Sequence, residues 1–193
     1  MTNYAVRGYW LSGAVRFMKV HYPADTNERL LASLPKGVRA SFALLEPMQW
    51  CPRSHHVELL RAIASVRTDE ALAREDLMAY GQYLGNEMAN GSLRSFLLIA
   101  RLKLFARKLP ELWARDHQDD AKLESDIAQL QEESRLPLRL SGIEGYDHVG
   151  IVTLGWVKGM LAGLGRRVVD VKQSGWSLKL PAPSEMTGEV RWA

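Results

Sequence analysis

The 193-residue sequence contains a single cysteine, Cys51, which excludes an internal disulfide. Its amino-terminal residues also lack a basic stretch followed by an apolar run, so we expect no signal peptide and a cytoplasmic location. The cysteine lies between Trp50 and Pro52. We expect it to be a small buried residue, because a reactive thiol needs an exposed, electropositive setting.

Long apolar runs and a strong excess of one charge are absent as well. The most apolar stretch, residues 146–165, is too short and too interrupted by glycine to cross a membrane. The formal net charge is +3, and acidic and basic residues are interleaved in segments such as 67–76 and 115–124, which argues against a nucleic-acid surface. A phosphate-binding loop, a dinucleotide-binding glycine turn and a nucleophile elbow are also missing. We therefore expect no membrane span, no nucleic-acid partner and no enzyme.

Five histidines are present, but no pair has the helical spacing and nearby carboxylate of a zinc site. A neutral histidine that projects into an apolar cavity is the standard proximal ligand of haem, and His56 and His148 are the candidates for that role. Carboxylates crowd residues 116–124, where flanking basic residues indicate a solvated loop. The expectation is thus no metal site and no cofactor, with haem as a less favoured alternative.

The stretch Tyr146–Gly165 is the centre of the predicted architecture. As a helix it is apolar on almost every side, which is typical of a buried helix. Gly155, Gly159 and Gly163 recur every four residues and share one face, so another backbone could approach there unusually closely. Each glycine costs about 1 kcal/mol of helix propensity, and close packing must offset that loss.

Apolar spacing and chain breakers predict helices in the first part of the chain and strands near its end. Helices are predicted at residues 11–21, 25–34, 36–45, 54–66, 69–89 and 92–108, with a short further turn after Pro110. Asp25 and Ser54 are the predicted N-caps of two of these helices. Strands are predicted at residues 5–9, 136–140, 167–171, 176–180 and 189–192, and residues 122–131 fit either a helix or a strand.

This order of elements predicts an α+β fold in a single domain, residues 1–193. Its N-terminal helical layer, residues 1–117, would pack on a four-stranded antiparallel sheet within residues 118–193. Two hairpins joined by the buried helix would form that sheet, an arrangement that meets the rules for chain connections.

Several motifs resemble those of an uncharacterised protein family expanded in myxobacteria, over nearly the whole chain. They are VRG at residues 6–8, ERLLASLP at 28–35, WCP at 50–52, PELW at 110–113, LGWVKGMLAGLG at 154–165 and EVRW at 189–192. That family in turn resembles the four-vinyl-reductase-type domain, the haem nitric-oxide-binding domain and the Bet3-like subunits of the transport-protein-particle (TRAPP) complex. The most widely shared part is a tyrosine followed by a glycine-spaced helix, here Tyr146, Gly155, Gly159 and Leu161.

The resemblance implies that residues 122–131 form a strand, and that the domain encloses an apolar ligand cavity or dimerises through its helices. It supplies no catalytic set of residues. Two departures matter: Cys51 replaces the family's usual aromatic residue, and PAPSEMTG at residues 181–188 replaces a cysteine-bearing turn. A function that depends on that cysteine, including metal binding, is therefore not expected.

We expect a non-enzymatic domain that binds a small apolar ligand or a protein partner, most simply a second copy of itself, as a sensing or scaffolding module. The alternatives are a haem-dependent gas sensor and an enzyme with an unrecognised site. Large rigid aromatic side chains and the glycine-lined helix face are the candidate ligand or interface residues. They are Trp50, Phe96, Trp113, Tyr146, Gly155, Trp156 and Gly159.

Overall fold

A buried helix and the elements around it organise the structure, a computed structural model that describes residues 4–42, 45–128, 130, 134–178, 181 and 183–193. The helices are α1 (Gly8–His21), α2 (Ala24–Ser33), α3 (Lys36–Ser41), α4 (Arg53–Ser65), α5 (Glu70–Asn90), α6 (Arg94–Ile99), α7 (Leu102–Asp116) and α8 (Val149–Gly163). The strands are β1 (Ala5–Arg7), β2 (Trp50–Pro52), β3 (His117–Gln118), β4 (Lys122–Ser125), β5 (Arg135–Ser141), β6 (Val168–Ser174) and β7 (Glu185–Trp192).

Two antiparallel sheets are present in the described part of the chain. The larger has the strand order β4-β5-β7-β6, so two hairpins meet where β5 pairs with β7, and α8 connects them. This confirms the predicted α+β fold with its four-stranded sheet. The alternating leucines of β5, Leu136, Leu138 and Leu140, are buried, as a period of two requires. The smaller sheet, β2-β1-β3, was not predicted from the sequence.

Helix α8 packs directly against α5, and glycines on both helices make the contact. A Cβ added to Gly155 would lie 2.2 Å from the carbonyl oxygen of Met78, and one added to Gly159 would lie 2.5 Å from that of Gln82. From the other side, a Cβ at Gly81 would lie 2.0 Å from the carbonyl oxygen of Val152. The predicted close approach of a second backbone to the glycine face is therefore present, and α5 supplies it.

Several predicted boundaries were wrong. Asp25 and Ser54 are not N-caps, because they lie inside the first turns of α2 and α4. Pro23 and Pro52 occupy the N-cap positions instead. The single helix predicted at 92–108 is two helices with an extended break at residues 100–101. The two helices have different partners, because α6 packs on α5 whereas α7 packs on β3 and β4.

The strand predictions also need two corrections. Residues 176–178 are not a strand, because β6 pairs with β7 instead, and residues 179–180 lie outside the described residues. Within the described residues of the ambiguous segment 122–131, the strand is Lys122–Ser125, and residues 129 and 131 lie outside the description. The third predicted helix, 36–45, is described as a helix to Ser41, and residues 43–44 fall outside the description.

Candidate functional site: a buried aromatic cluster around His117

Four aromatic side chains from four different elements meet in the interior: Trp10 of α1, Trp113 of α7, His117 of β3 and Trp156 of α8, here called the aromatic cluster. The imidazole of His117 stacks on Trp113 with ring centres 3.6 Å apart and planes 11° apart. The ring of Trp10 meets the imidazole edge-on, with centres 4.9 Å apart. The indole of Trp156 lies 6.2 Å from Trp10 and 6.4 Å from Trp113.

Local chain geometry places the imidazole of His117. Residue 117 follows the last turn of α7 and pairs with Val6 of β1, so β1 holds it against the helical layer. Its Nδ1 lies 3.0 Å from the carbonyl oxygen of Trp113, four residues earlier. The carbonyl groups of a last helical turn lack intrahelical partners, and the imidazole N–H donates to this one.

These contacts determine the protonation state of His117. Burial lowers its pKa to about 3, with the hydrogen bond to the Trp113 carbonyl opposing this shift and the nearby Arg53 charge adding to it, so the ring is neutral at pH 7. Because Nδ1 donates to a carbonyl, Nε2 carries an unprotonated lone pair. Nε2 is buried and has no hydrogen-bond partner among the described residues, and the same holds for the indole N–H groups of Trp10 and Trp113. Unused hydrogen-bonding capacity of this kind is rare in a protein interior.

His56, the first haem candidate, has both ring nitrogens occupied. Its Nε2 lies 3.1 Å from the hydroxyl of Tyr80, which itself donates to the carbonyl oxygen of Trp10 at 2.6 Å. The Tyr80 hydroxyl must therefore accept from His56 Nε2–H, and Nδ1 accepts from the Tyr146 hydroxyl at 2.6 Å. Burial, together with a smaller electrostatic effect of nearby His117, lowers the pKa of His56 to about 3. His56 of α4 is thus linked to α5 through Tyr80 and to the segment before α8 through Tyr146. Neither ring nitrogen is free to bind a ligand.

His148, the second haem candidate, precedes α8 in a left-handed conformation with φ of 65°. Its Nδ1 lies 3.2 Å from the indole N–H of Trp176, which donates to it. The cavity beside it and Tyr146 has a volume of about 10 Å³, enough for one water molecule at most. Burial lowers the pKa of His148. The side chain therefore closes the end of α8 rather than facing a large cavity.

The structure separates the other predicted site residues into three groups. Trp113, Trp156 and Tyr146 are fully buried in or beside the aromatic cluster. Gly155 and Gly159 form the contact with α5. Trp50 is 40% exposed with the Arg7 guanidinium 3.8 Å above its ring, and Phe96 is half-buried on α6, away from the cluster. Their roles in ligand binding or assembly stay predictions.

The carboxylates of residues 116–124 are not all solvated, contrary to the sequence-based expectation. Asp116 is fully buried and accepts hydrogen bonds from the Tyr9 hydroxyl and, at 3.0 Å, from Arg115. The side chain of Asp119 is also buried, with an oxygen 3.4 Å from Arg53. Each buried carboxylate thus has an arginine partner, as buried charges require. No group of three or more possible metal ligands occurs among the described residues.

Within the described ranges, no helix is long and apolar enough to cross a membrane. The class of fold is an α+β arrangement in which a helical layer packs on a hairpin–helix–hairpin unit. No known sequence family and no curated protein sequence matches this chain, whereas solved structures of H-NOX proteins do.

Three of these structures illustrate the similarity. An H-NOX protein from K. algicida, described as Fe(II) unliganded, has a TM-score of 0.67 at 8% identity, over 97% of this chain and 96% of that one. An H-NOX protein from S. oneidensis in the Fe(II)NO ligation state has a TM-score of 0.64 at 11% identity, over 97% and 99%. A structure whose description concerns haem redox potential and porphyrin distortion has a TM-score of 0.62 at 11% identity, over 96% and 94%.

The chain therefore has an H-NOX-like fold, which confirms the haem nitric-oxide-binding part of the resemblance. The relationships to a myxobacterial family and to Bet3-like subunits stay predictions. The expectation of no cofactor was wrong, because the fold is shared with proteins that are described by their haem and iron ligation states. His117 was not among the sequence-based haem ligand candidates, His56 and His148, and its only local signal is its position four residues after Trp113.

The aromatic cluster fits a haem in its chemistry. Neutral His117 is buried, its Nδ1 is bonded to a carbonyl and its Nε2 is unpaired, which is the state a haem-ligating histidine needs. Trp10, Trp113 and Trp156, each at most 1% exposed, fill the space around the imidazole. A porphyrin can therefore be accommodated only if side chains of the cluster move.

Proposed function

We propose that this chain is a haem-dependent gas-sensing domain in which Nε2 of His117 would hold the haem. The observation that carries the proposal is the unpaired Nε2 of neutral His117 at the centre of an H-NOX-like fold. The haem would supply an iron atom that can bind a diatomic gas.

The protein residues prepare the imidazole for this role. The Trp113 carbonyl holds the proton on Nδ1, which orients the ring and increases the basicity of Nε2. His117 pairs with β1 through its backbone and is hydrogen-bonded to Trp113 of α7 through its imidazole. A change in the position of His117 would therefore move both β1 and α7. The surrounding indoles exclude water from the imidazole.

The proposed sensor acts in the cytoplasm through a protein partner, in the simplest case a second copy of this chain, and not as an enzyme. The half-buried or exposed candidates Trp50 and Phe96 are the predicted contact residues for such a partner. Size-exclusion chromatography with light scattering checks self-association, and a strictly monomeric protein in both the haem-bound and the haem-free state would contradict pairing with a second copy.

Haem titration followed by absorption spectroscopy tests the proposal. We expect the purified protein to develop a sharp Soret band with one haem per chain, and the reduced complex to shift its Soret band when nitric oxide is added. The His117→Gly variant should lose the band, and free imidazole should restore it by replacing the missing side chain. This rescue distinguishes ligation from a structural role of His117.

His148→Gly is the matched control, because it removes a second histidine, which is half-buried and lies outside the aromatic cluster. Circular dichroism of each variant checks that the helices remain folded. A wild-type protein without a Soret band would refute haem binding. A Soret band that survives in His117→Gly but disappears in His148→Gly would identify His148 as the haem ligand and refute the proposed role of His117.

A further inference from the structure

The junction between α6 and α7 carries two adjacent large aliphatic side chains that are almost fully exposed. Leu98 is 76% exposed and Ile99 is 79% exposed, although the neighbouring Leu97 is buried. Both residues belong to the last turn of α6, which ends at Ile99. Their exposure to water is unfavourable, and a surface that covered them would recover that free energy.

The same part of the chain is basic and contains no acidic residue. Between Gly91 and Pro110 the sequence has no Asp or Glu, and its five basic residues are Arg94, Arg101, Lys103, Arg107 and Lys108. All five are exposed. Of these, only Lys108 has a salt bridge to a described residue, Glu111. Positive charge without an acidic partner among the described residues therefore lies close in the chain to the two aliphatic side chains.

A cleft of about 550 Å³ lies beside this junction. Three cations line it, Arg101 and Lys103 from the start of α7 and Arg166 from the segment after α8. Its apolar lining includes Leu102, Leu164 and Trp192, and none of its described lining residues is acidic. Cationic side chains beside apolar ones are chemically complementary to a phospholipid, which has an anionic phosphate headgroup attached to acyl chains.

We propose that this surface, formed by Leu98, Ile99, Arg101, Lys103 and Arg166 and here called the basic apolar surface, binds an anionic phospholipid membrane. The two aliphatic side chains enter the headgroup layer, and the three cations contact lipid phosphates. Charged residues are depleted at the core of protein interfaces, whereas Leu98 and Ile99, in the last turn of α6, are followed closely in the chain by Arg101 and Lys103, a combination that suits an anionic lipid interface. The proposal is independent of haem binding.

Sedimentation with lipid vesicles tests the proposal on the full chain. Vesicles of phosphatidylcholine and phosphatidylglycerol should bind the protein, vesicles of phosphatidylcholine alone should bind it weakly, and added salt should reduce the binding. Each basic residue near an anionic surface contributes about fivefold to the partition coefficient. Combining Arg101→Glu, Lys103→Glu and Arg166→Glu should therefore reduce binding by at least about a hundredfold. Combining Leu98→Ser and Ile99→Ser should reduce it by at least about tenfold.

The matched control combines Lys19→Glu, Lys36→Glu and Arg39→Glu, three exposed basic residues of α1 and α3. It changes the net charge by the same amount, and its binding should stay close to that of the wild type. Equal losses in both triple variants would overturn the proposal, because net charge alone would then explain the binding. Unchanged binding of the Leu98→Ser, Ile99→Ser variant would overturn it too, as would binding to DNA or to an acidic protein without binding to vesicles.

Discussion

The contact between α5 and α8 predicts that Gly155→Ala destabilises the protein, although alanine is the better helix former. An added Cβ would lie 2.2 Å from the carbonyl oxygen of Met78 and 3.0 Å from the amide nitrogen of Gln82. Both atoms belong to backbone, so no side chain can rotate away, and the two helices must separate by about 1 Å to reach ordinary van der Waals distances.

The magnitude follows from two opposing terms. Overpacking costs about 3 kcal/mol, at the upper end of the usual range because the obstacle is backbone, and the gain in helix propensity returns about 1 kcal/mol. We expect a net loss of about 2 kcal/mol in the free energy of unfolding, which lowers Tm by about 4–8 °C in a protein of this size.

Urea denaturation followed by circular dichroism measures the change. Gly37→Ala is the matched control, because Gly37 is also in a helix and an added Cβ there has no atom within 4 Å. That variant should be as stable as the wild type or slightly more stable. If Gly155→Ala matched Gly37→Ala in stability, the described closeness of α5 and α8 would be refuted.

Two further predictions concern pH and the cysteine. The pKa values of His56 and His117 are lowered to about 3 from 6.5, so both rings bind protons mainly in the unfolded state and stability should fall as the pH decreases from about 6.5 to 3. The loss reaches up to about 1.4 kcal/mol per pH unit for each histidine, and urea midpoints of His117→Phe should show a shallower slope than those of the wild type. A parallel slope would show that His117 is not buried in the neutral form. Burial raises the pKa of the Cys51 thiol, which is 3% exposed, so a thiol reagent should label it only after urea unfolds the protein. Rapid labelling of the native protein would contradict that burial.

The central elements could be predicted from the sequence because their signals are local. The glycine spacing of residues 155–163 and the apolar character on all sides predict a buried, closely packed helix without knowledge of its partner. The alternating leucines of β5 indicate a strand in the same way. The break at residues 100–101 could not be predicted, because apolar spacing continues across it and only packing on different partners separates α6 from α7.

The candidate site was harder to predict because it is assembled from distant segments. Trp10, Trp113 and Trp156 are recognisable as interior residues, but nothing local shows that they meet. His117 has charged residues around it in sequence, and its burial results from the pairing of β3 with β1. The two-residue strand β3 is too short to carry an alternating pattern of its own.

The position of β1 in the middle of the small sheet also has a consequence for biosynthesis. Val6 pairs with Cys51 on one side and with His117 on the other, so this strand cannot complete its pairing until residue 117 has left the ribosome. Closure of such long chain segments is slow compared with helix formation. The imidazole should therefore reach its final position after the helices, and a refolding experiment that follows tryptophan quenching should show this step as the slower phase.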